Sequence, residues 1–293
     1  MTSSYPESSL TRAPMSKRTL FNTIMTVLAF ICGLLALVPL LAVLSYVIIQ
    51  GFSSLNPSIF TELPPAPLRK GGGFGNAILG TLLMVGIGAL ISIPFGVLGA
   101  IYLTEFSSGK IARLIRFATN ILSGVPSIIA GVFAYGIVVL TLVKLNLGSY
   151  SAIGGGFALA ILMLPIIVRT TDEALQLVSQ DLRQASVGLG ATKFQTVTQV
   201  VLPAALPAIA TGTTLAIARA AGETAPLLFT ALFSPFWPNS LFKPTASLAV
   251  LVYNFATTPF KNLQSLAWAA SLILVLMVLL TSIIARWATR QKA

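Results

Sequence analysis

The chain has 293 residues, of which 56% are hydrophobic and only 9% are charged, and its mean hydropathy is +0.91. Soluble domains are about 45–50% apolar and about 25% charged, so this composition excludes a soluble globular domain and a disordered chain alike. The sequence has no histidine and one cysteine, which excludes a His/Cys zinc site, a Ser-His-Asp triad and a thiol redox pair. We therefore expect an all-α polytopic membrane protein.

Uncharged stretches predict the membrane spans. A helix needs about 20 apolar residues to cross a hydrocarbon core about 30 Å thick, and six stretches satisfy this requirement. The fifth carries Arg219 and Glu223 within an otherwise apolar run. The six predicted spans cover residues 24–49, 76–103, 117–143, 145–168, about 204–233 and 262–285.

A seventh apolar stretch, residues 244–260, is bounded by prolines and has polar residues at its centre. With six spans and a cytoplasmic N-terminus, most of the 18 Lys and Arg residues lie on the cytoplasmic side, as the positive-inside rule requires. A seventh span would place the C-terminal basic cluster outside. We interpret residues 244–260 as an outer-surface or re-entrant segment, and the net charge of +11 as membrane topology rather than nucleic-acid binding.

The predicted organisation follows from these spans. Residues 1–23 form a cytoplasmic N-terminal tail, 24–50 the first transmembrane helix, 51–75 an external loop, and 288–293 a cytoplasmic C-terminal tail. Residues 76–287 form a core of five transmembrane helices, which includes a long cytoplasmic loop at 169–203.

The cytoplasmic loop has the pattern of two short helices. Leu175, Val178, Leu182 and Ala185 recur at helical spacing, and Gly188 and Gly190 then interrupt the helix. A second apolar set (Phe194, Val197 and Val201) leads into the fifth span. Such a helical hairpin suits docking into a groove on another protein, although an interfacial hairpin lying on lipid has the same pattern.

The spacing within this loop resembles the EAA loop of ABC importer permeases. Ala185, Gly190, Val200, Leu202 and Pro203 match the motif, while Gln184 and Ser186 replace its glutamate and second alanine. The resemblance implies that this loop is the coupling helix of the chain. The contacts to an ATPase subunit are then expected from Gln184, Ala185, Ser186, Gly190, Leu202 and Pro203.

The fifth span carries the second candidate site. An arginine at the centre of a membrane helix costs about 2.5–3.5 kcal/mol by insertion scales, so Arg219 is expected to face protein or water. Glu223 lies four residues later and could pair with it on one helical face. A structural clamp is the simpler explanation. Binding of passing oxyanions by the guanidinium accounts better than a clamp for the cost of placing an arginine in the membrane.

The segment around Arg219 resembles A-type (PstA-like) permease subunits of high-affinity phosphate ABC importers. The match is carried by the run Ala218–Ala231 in the fifth span, by Tyr102–Glu105 after the second and by Leu122–Ile128, which opens the third. This resemblance implies a type I ABC importer permease (MetI-like) fold. It also implies a substrate path that includes Arg219, Glu223 and Thr224.

The resemblance implies further components as well. These are a homologous C-type permease subunit, two ATPase subunits, an external phosphate-binding protein and a bacterial inner (plasma) membrane location. The chain itself has no Gly-x4-Gly-Lys-Ser/Thr loop, so we expect no enzyme activity and no cofactor on it, with ATP and Mg bound by the ATPase partner. Inorganic phosphate is then the substrate.

Several alternatives are compatible with the residues. Sulfate or molybdate could replace phosphate as the oxyanion. Arg219 could also serve as the filter charge of an ion-coupled secondary transporter. Ser123–Pro126, which weakens the predicted start of span three, could be a simple kink or part of a gate.

Overall fold

The computed structural model describes residues 17–69, 71–107 and 109–288, and these form helices joined by loops. Six helical segments within this part of the chain are long and apolar enough to cross a membrane, which confirms the predicted all-helical, six-span architecture. Residues 1–16 and 289–293, which belong to the predicted cytoplasmic tails, lie outside the described residues. The spanning segments are Lys17–Ser53, Gly75–Phe106, Ser127–Lys144, Ala152–Gln176, Lys193–Ala221 and Lys261–Trp287.

Thirteen α-helices, with three π-helical turns between them, make up the described secondary structure. The α-helices are α1 (Lys17–Ser53), α2 (Ser58–Thr61), α3 (Gly75–Ile101), α4 (Lys110–Gly124), α5 (Ser127–Ala134), α6 (Leu140–Lys144), α7 (Ala152–Gln176), α8 (Gln180–Gly188), α9 (Lys193–Thr196), α10 (Leu202–Ala221), α11 (Ala225–Thr230), α12 (Leu248–Ala256) and α13 (Lys261–Ala288). The π turns are Tyr102–Phe106, Tyr135–Val139 and Val197–Val201.

The chain forms two compact units, Met1–Ile49 and Gln50–Ala293. In the first, the described residues belong to α1, and none of the 18 residues in its most apolar window is buried. A helix that is apolar on all sides is stable only in an apolar environment. The first unit therefore has the properties of a helix surrounded by lipid or by another membrane chain.

The core of the second unit is centred on the packing of α3 against α7. Small residues allow the two helices to approach closely, as is common inside membranes. At Gly156 an added Cβ atom would lie 2.5 Å from Ile87 Cγ2, and at Gly88 it would lie 3.2 Å from the Gly156 carbonyl oxygen. Met84, Leu159 and other buried side chains fill the space around this contact.

The predicted third span starts too early. Residues 117–143 were expected to form one helix, but α4 ends at Gly124 and the spanning helix begins at Ser127. Val125 is extended, with ψ 130°, because a residue that precedes proline is sterically disfavoured in the α conformation. Val125 and Pro126, which separate the two helices, are both uncharged, so the hydropathy pattern did not predict the break.

The predicted fifth span also differs from the structure. It was expected at about 204–233, but the continuous helical segment covers Lys193–Ala221 and is followed by the C-cap residue Gly222. The following residues form the separate helix α11. Arg219 therefore lies in the last helical turn of this span, and Glu223 lies beyond the helix rather than on its face.

The segment at 244–260 contains α12, which has nine residues and is about 13.5 Å long. This is less than half of the hydrocarbon thickness, so α12 cannot be a seventh span. Leu248 and Leu251 are fully buried in a cluster with Ala269 and Ala270 of α13. Of the two predicted alternatives, the re-entrant segment fits this burial and the surface-lying one does not.

Candidate functional site

The break in the fifth span defines the first part of the site. The amide of Gly222 donates to the Arg219 carbonyl (3.1 Å), and the amide of Glu223 donates to the Ala220 carbonyl (3.2 Å), which tightens the last turn of α10. Thr224 occupies the N-cap position of α11 and makes no side-chain capping hydrogen bond. Interrupted helices of this kind are tolerated in membranes where they line a cavity or are buried in protein.

Arg219 and Glu223 are close together at this break. The Arg219 Nε atom lies 3.7 Å from Glu223 Oε1, which is within ion-pair range but longer than a hydrogen bond. The Arg219 side chain is 59% exposed on the chain and that of Glu223 is 15% exposed. The guanidinium is thus only loosely held and remains accessible to a ligand.

The position of Arg219 near a helix C-terminus suggests a structural reason for its presence. A cation there interacts favourably with the helix dipole, by about 0.3–1 kcal/mol. That gain is smaller than the insertion cost of about 2.5–3.5 kcal/mol for arginine in a membrane helix. An exposed guanidinium on this apolar chain therefore requires water or a polar partner beside it.

The loop at 169–203, predicted to be cytoplasmic, forms the second part of the site. The predicted helical stripe from Leu175 to Ala185 is not one helix, because α7 ends at Gln176 and α8 begins at Gln180. Leu175 and Val178 are buried, whereas Leu182 and Ala185 are exposed, so the stripe does not form one apolar face. Ser179, the N-cap residue of α8, accepts a hydrogen bond from the Leu182 amide at this junction.

The turn after α8 explains the glycine at position 190. Its φ is +87°, a left-handed conformation that glycine adopts without steric cost. The Ala191 amide donates to the Ser186 carbonyl (3.1 Å) and the Gly190 amide to the Val187 carbonyl (2.9 Å), which is the Schellman pattern. Thr192 and Gln195 then form a capping box that starts α9.

The residues predicted to contact an ATPase divide into an exposed and a less accessible group. Gln184, Ala185, Gly190 and Pro203 are exposed, Leu202 is half-buried, and Ser186 is buried. The Ser186 and Thr196 hydroxyl oxygens lie 3.0 Å apart and join α8 to α9. Sequence reasoning treated Ser186 as a departure from the motif and missed this contact.

Three large apolar side chains project from the same hairpin. Leu189 is 90% exposed, Phe194 68% and Val187 60%. An exposed apolar patch on a polar surface is typical of a protein interaction site or of contact with lipid. We call Val187, Leu189 and Phe194 the loop patch. Leu189 was not predicted, because a single leucine between two glycines has no periodic signal.

A group of ion pairs lies near the ends of the second and fourth spans, and sequence reasoning did not predict it. Arg116 donates to both carboxylate oxygens of Asp172, with Nε–Oδ2 3.0 Å and Nη2–Oδ1 2.9 Å. This hydrogen bonding raises the pKa of Arg116 above its usual value. Arg183 forms a second pair with Glu105. The sequence feature that could have indicated these pairs is the presence of acidic residues at the ends of apolar spans, because a buried carboxylate requires a cationic or hydrogen-bonding partner.

Comparison of the sequence with known proteins identifies the family of this chain. Residues 92–292 match the family described as binding-protein-dependent transport system inner membrane component. The phosphate transport system permease protein PstA of Yersinia pestis is 41% identical over 266 residues, covering 90% of this chain and 88% of that protein.

Two solved ABC transporters share the fold. A bacterial alginate ABC transporter matches with a TM-score of 0.63 at 17% identity, over 94% of this chain and 95% of that chain. The MetNI methionine ABC transporter in an inward-facing conformation matches with a TM-score of 0.58 at 20% identity, over 73% and 95%. These similarities confirm the predicted type I ABC importer permease (MetI-like) fold. The chain belongs to the family of binding-protein-dependent transport system inner membrane components, and within it to the PstA permeases.

Proposed function

We propose that this chain is the A-type permease subunit of an ATP-driven phosphate importer and forms half of the translocation path. The observation that carries the proposal is the exposed guanidinium of Arg219 at the break in the fifth span. The similarity to PstA proteins over 90% of the chain supports phosphate as the oxyanion.

The chemistry of the pair fits transient binding of phosphate. Arginine presents five N–H donors in a planar fork that matches two oxygens of an oxyanion. Glu223 balances the cation when no anion is present, and its carboxylate can accept a hydrogen bond from a protonated phosphate oxygen. Fully ionised sulfate has no such proton and only repels the carboxylate. Thr224 adds a hydroxyl at the same break.

The cytoplasmic loop supplies the contact with a separate ATPase in this proposal. The loop patch is apolar and exposed, and the exposed residues Gln184 and Gly190 lie beside it on the capped hairpin. ATP and Mg bind to the ATPase subunits, and this chain is not itself an enzyme. Closure of two ATPase subunits moves the hairpin, and the spans above it follow.

The remaining components complete the importer. A homologous C-type permease covers the exposed side of Arg219 and provides the other half of the path. An external phosphate-binding protein delivers phosphate on the outer face. Both termini of this chain lie in the cytoplasm of a bacterial cell, and its spans lie in the inner membrane.

The test is uptake by proteoliposomes that contain both permeases and the ATPase, with ATP inside and the phosphate-loaded binding protein outside. Phosphate uptake that requires ATP, and that persists after ion gradients are collapsed, is the expected result. Uptake that follows an ion gradient without ATP would replace the proposal with a secondary transporter. Equal uptake of sulfate or molybdate, delivered by their own binding proteins, would remove phosphate as the specific substrate.

A further inference from the structure

The π turn at Tyr102–Phe106 ends the second span and contacts two different parts of the chain. Thr104 Oγ1 donates to Asp172 Oδ1 at the end of α7 (2.6 Å). The next residue, Glu105, pairs with Arg183 in α8. π turns inside helices occur frequently at functional sites. Here one turn connects the second span both to the fourth span and to the coupling loop.

The Glu105–Arg183 pair is shielded from solvent. The Glu105 side chain is 8% exposed and that of Arg183 is 16% exposed. A nearby ion pair, Arg169–Glu173, is 61% and 60% exposed and joins residues of the same helix. Water and salt screen the exposed pair, whereas the largely buried Glu105–Arg183 pair is screened much less and is the stronger interaction.

Arg183 has a second partner as well. Its Nη2 atom donates to the Leu175 carbonyl oxygen at the end of α7 (2.7 Å), while Nη1 binds Glu105. The guanidinium thereby links α8 to the second and fourth spans at the same time. The planar fork of arginine permits both contacts, whereas a lysine ammonium is a single point charge.

Apolar packing contributes little to the attachment of α8. Within this helix Ser186 is the buried residue, and the loop patch residue Val187 points away from the core. The polar contacts of Arg183 and the Ser186–Thr196 pair therefore hold α8 in place. By contrast, the end of α7 packs through Leu175 against Val201 of the preceding π turn and Ile209 of α10.

The spans themselves are tied together beside this contact. Asp172 of α7 accepts hydrogen bonds from Arg116 of α4 and from Thr104 of the second span. Three elements are thus held by one buried carboxylate, and α8 joins them through Glu105–Arg183. The Glu105–Arg183 pair is thus a direct polar connection between α8 and these spans.

We propose that Glu105 and Arg183 are positioning residues that pass movement of the coupling loop to the second and fourth spans. This proposal rests on the proposed function, in which the loop docks onto an ATPase. The pair does not touch the substrate or the ATPase. Its role is to convert docking of the loop into movement of the helices.

The experiment uses the complete importer in proteoliposomes with Glu105→Gln, Arg183→Gln and Arg183→Lys. We expect the ATPase to co-purify in wild-type amounts and to hydrolyse ATP, while phosphate transported per ATP falls by about tenfold or more, because the buried pair is broken. Arg183→Lys keeps the charge but loses the fork, so it is expected to lower the same ratio. Glu173→Gln is the matched control, because it removes one acid from an exposed pair at the same face.

The double variant Glu105→Arg with Arg183→Glu restores an ion pair with the two charges exchanged. It is expected to recover part of the lost phosphate transport per ATP. A wild-type ratio in Glu105→Gln and in Arg183→Lys would overturn the proposal. So would a lower melting temperature with an unchanged ratio, which indicates a purely structural pair. Loss of ATPase co-purification in Glu105→Gln and Arg183→Lys, but not in Glu173→Gln, would also overturn it, because the pair would then shape the docking surface.

Failure of the proposed function gives a different result. If the loop does not dock onto the ATPase, Gly190→Leu and Gly190→Asn keep wild-type co-purification of the ATPase and wild-type ATP hydrolysis. Failure of the present proposal leaves those variants defective and the Glu105 and Arg183 variants normal.

Discussion

The hydroxyl groups of Ser186 and Thr196 lie 3.0 Å apart and join α8 to α9 across the Gly190 turn. Both residues are buried, so each hydroxyl depends on the other for its hydrogen bond. The hairpin is consequently closed at its base by this pair and at its tip by the Schellman turn.

Ser186→Ala removes one hydroxyl and leaves the other buried without this partner. A buried polar group in that state costs about 1–3 kcal/mol. We expect a lower melting temperature of the purified complex and a partial loss of coupled transport. The double variant Ser186→Ala with Thr196→Val is expected to recover stability, since both polar groups are gone. Equal melting temperatures for the wild type and Ser186→Ala would contradict this.

Gly190→Leu forces a branched side chain into the left-handed region, which costs about 1–2 kcal/mol. An added Cβ would meet no atom within 4 Å, so the penalty is conformational rather than steric. We expect reduced co-purification of the ATPase and loss of stimulated hydrolysis. Gly190→Asn should retain more of both, because asparagine tolerates positive φ.

Gly188→Ala is the control for that prediction. Gly188 is equally free of neighbours but lies within α8 and has no positive φ. Its replacement is expected to be neutral or slightly stabilising. Similar defects at positions 188 and 190 would mean that the turn conformation is not what matters.

Arg219→Gln removes the cation at the break in the fifth span. A hydrogen bond to a charged group contributes about 1.5–3 kcal/mol, which corresponds to a loss of phosphate uptake of about tenfold or more. The importer should still assemble, because the side chain is exposed and its pairing with Glu223 is loose. Phosphate uptake and co-purification of all subunits are the two measurements. Normal uptake in this variant would exclude Arg219 from the path.

Gly96→Ala tests the packing of α3 on α7. Its Cβ would lie 2.7 Å from Ile167 Cγ2 and 3.0 Å from Ile167 Cβ, so the Ile167 side chain or one of the helices must shift. We expect destabilisation of about 1–3 kcal/mol in thermal melts of the complex. Gly99→Ala, three residues along the same helix, meets no atom within 4 Å and is expected to be neutral or stabilising. Equal effects at the two positions would argue against close helix contact.

Much of the architecture could be read from local patterns. Hydropathy located six spans, because the cost of charges in lipid acts on each helix separately. It failed at Val125–Pro126, where a proline ends the helix within uncharged sequence, and at Gly222, where α10 ends inside a stretch of otherwise high hydropathy. The glycine turn at Gly190 was predicted because its signal is also local.

The sequence alone therefore determined the class of protein, the number of spans and the residues with unusual chemistry in them. Only the tertiary structure decided which of these residues meet. Glu105 and Arg183 are 78 positions apart, and Arg116 and Asp172 are 56 apart. Hydropathy and helical periodicity depend on neighbours in the chain. An ion pair between separate helices depends on how those helices pack, and no local pattern specifies that.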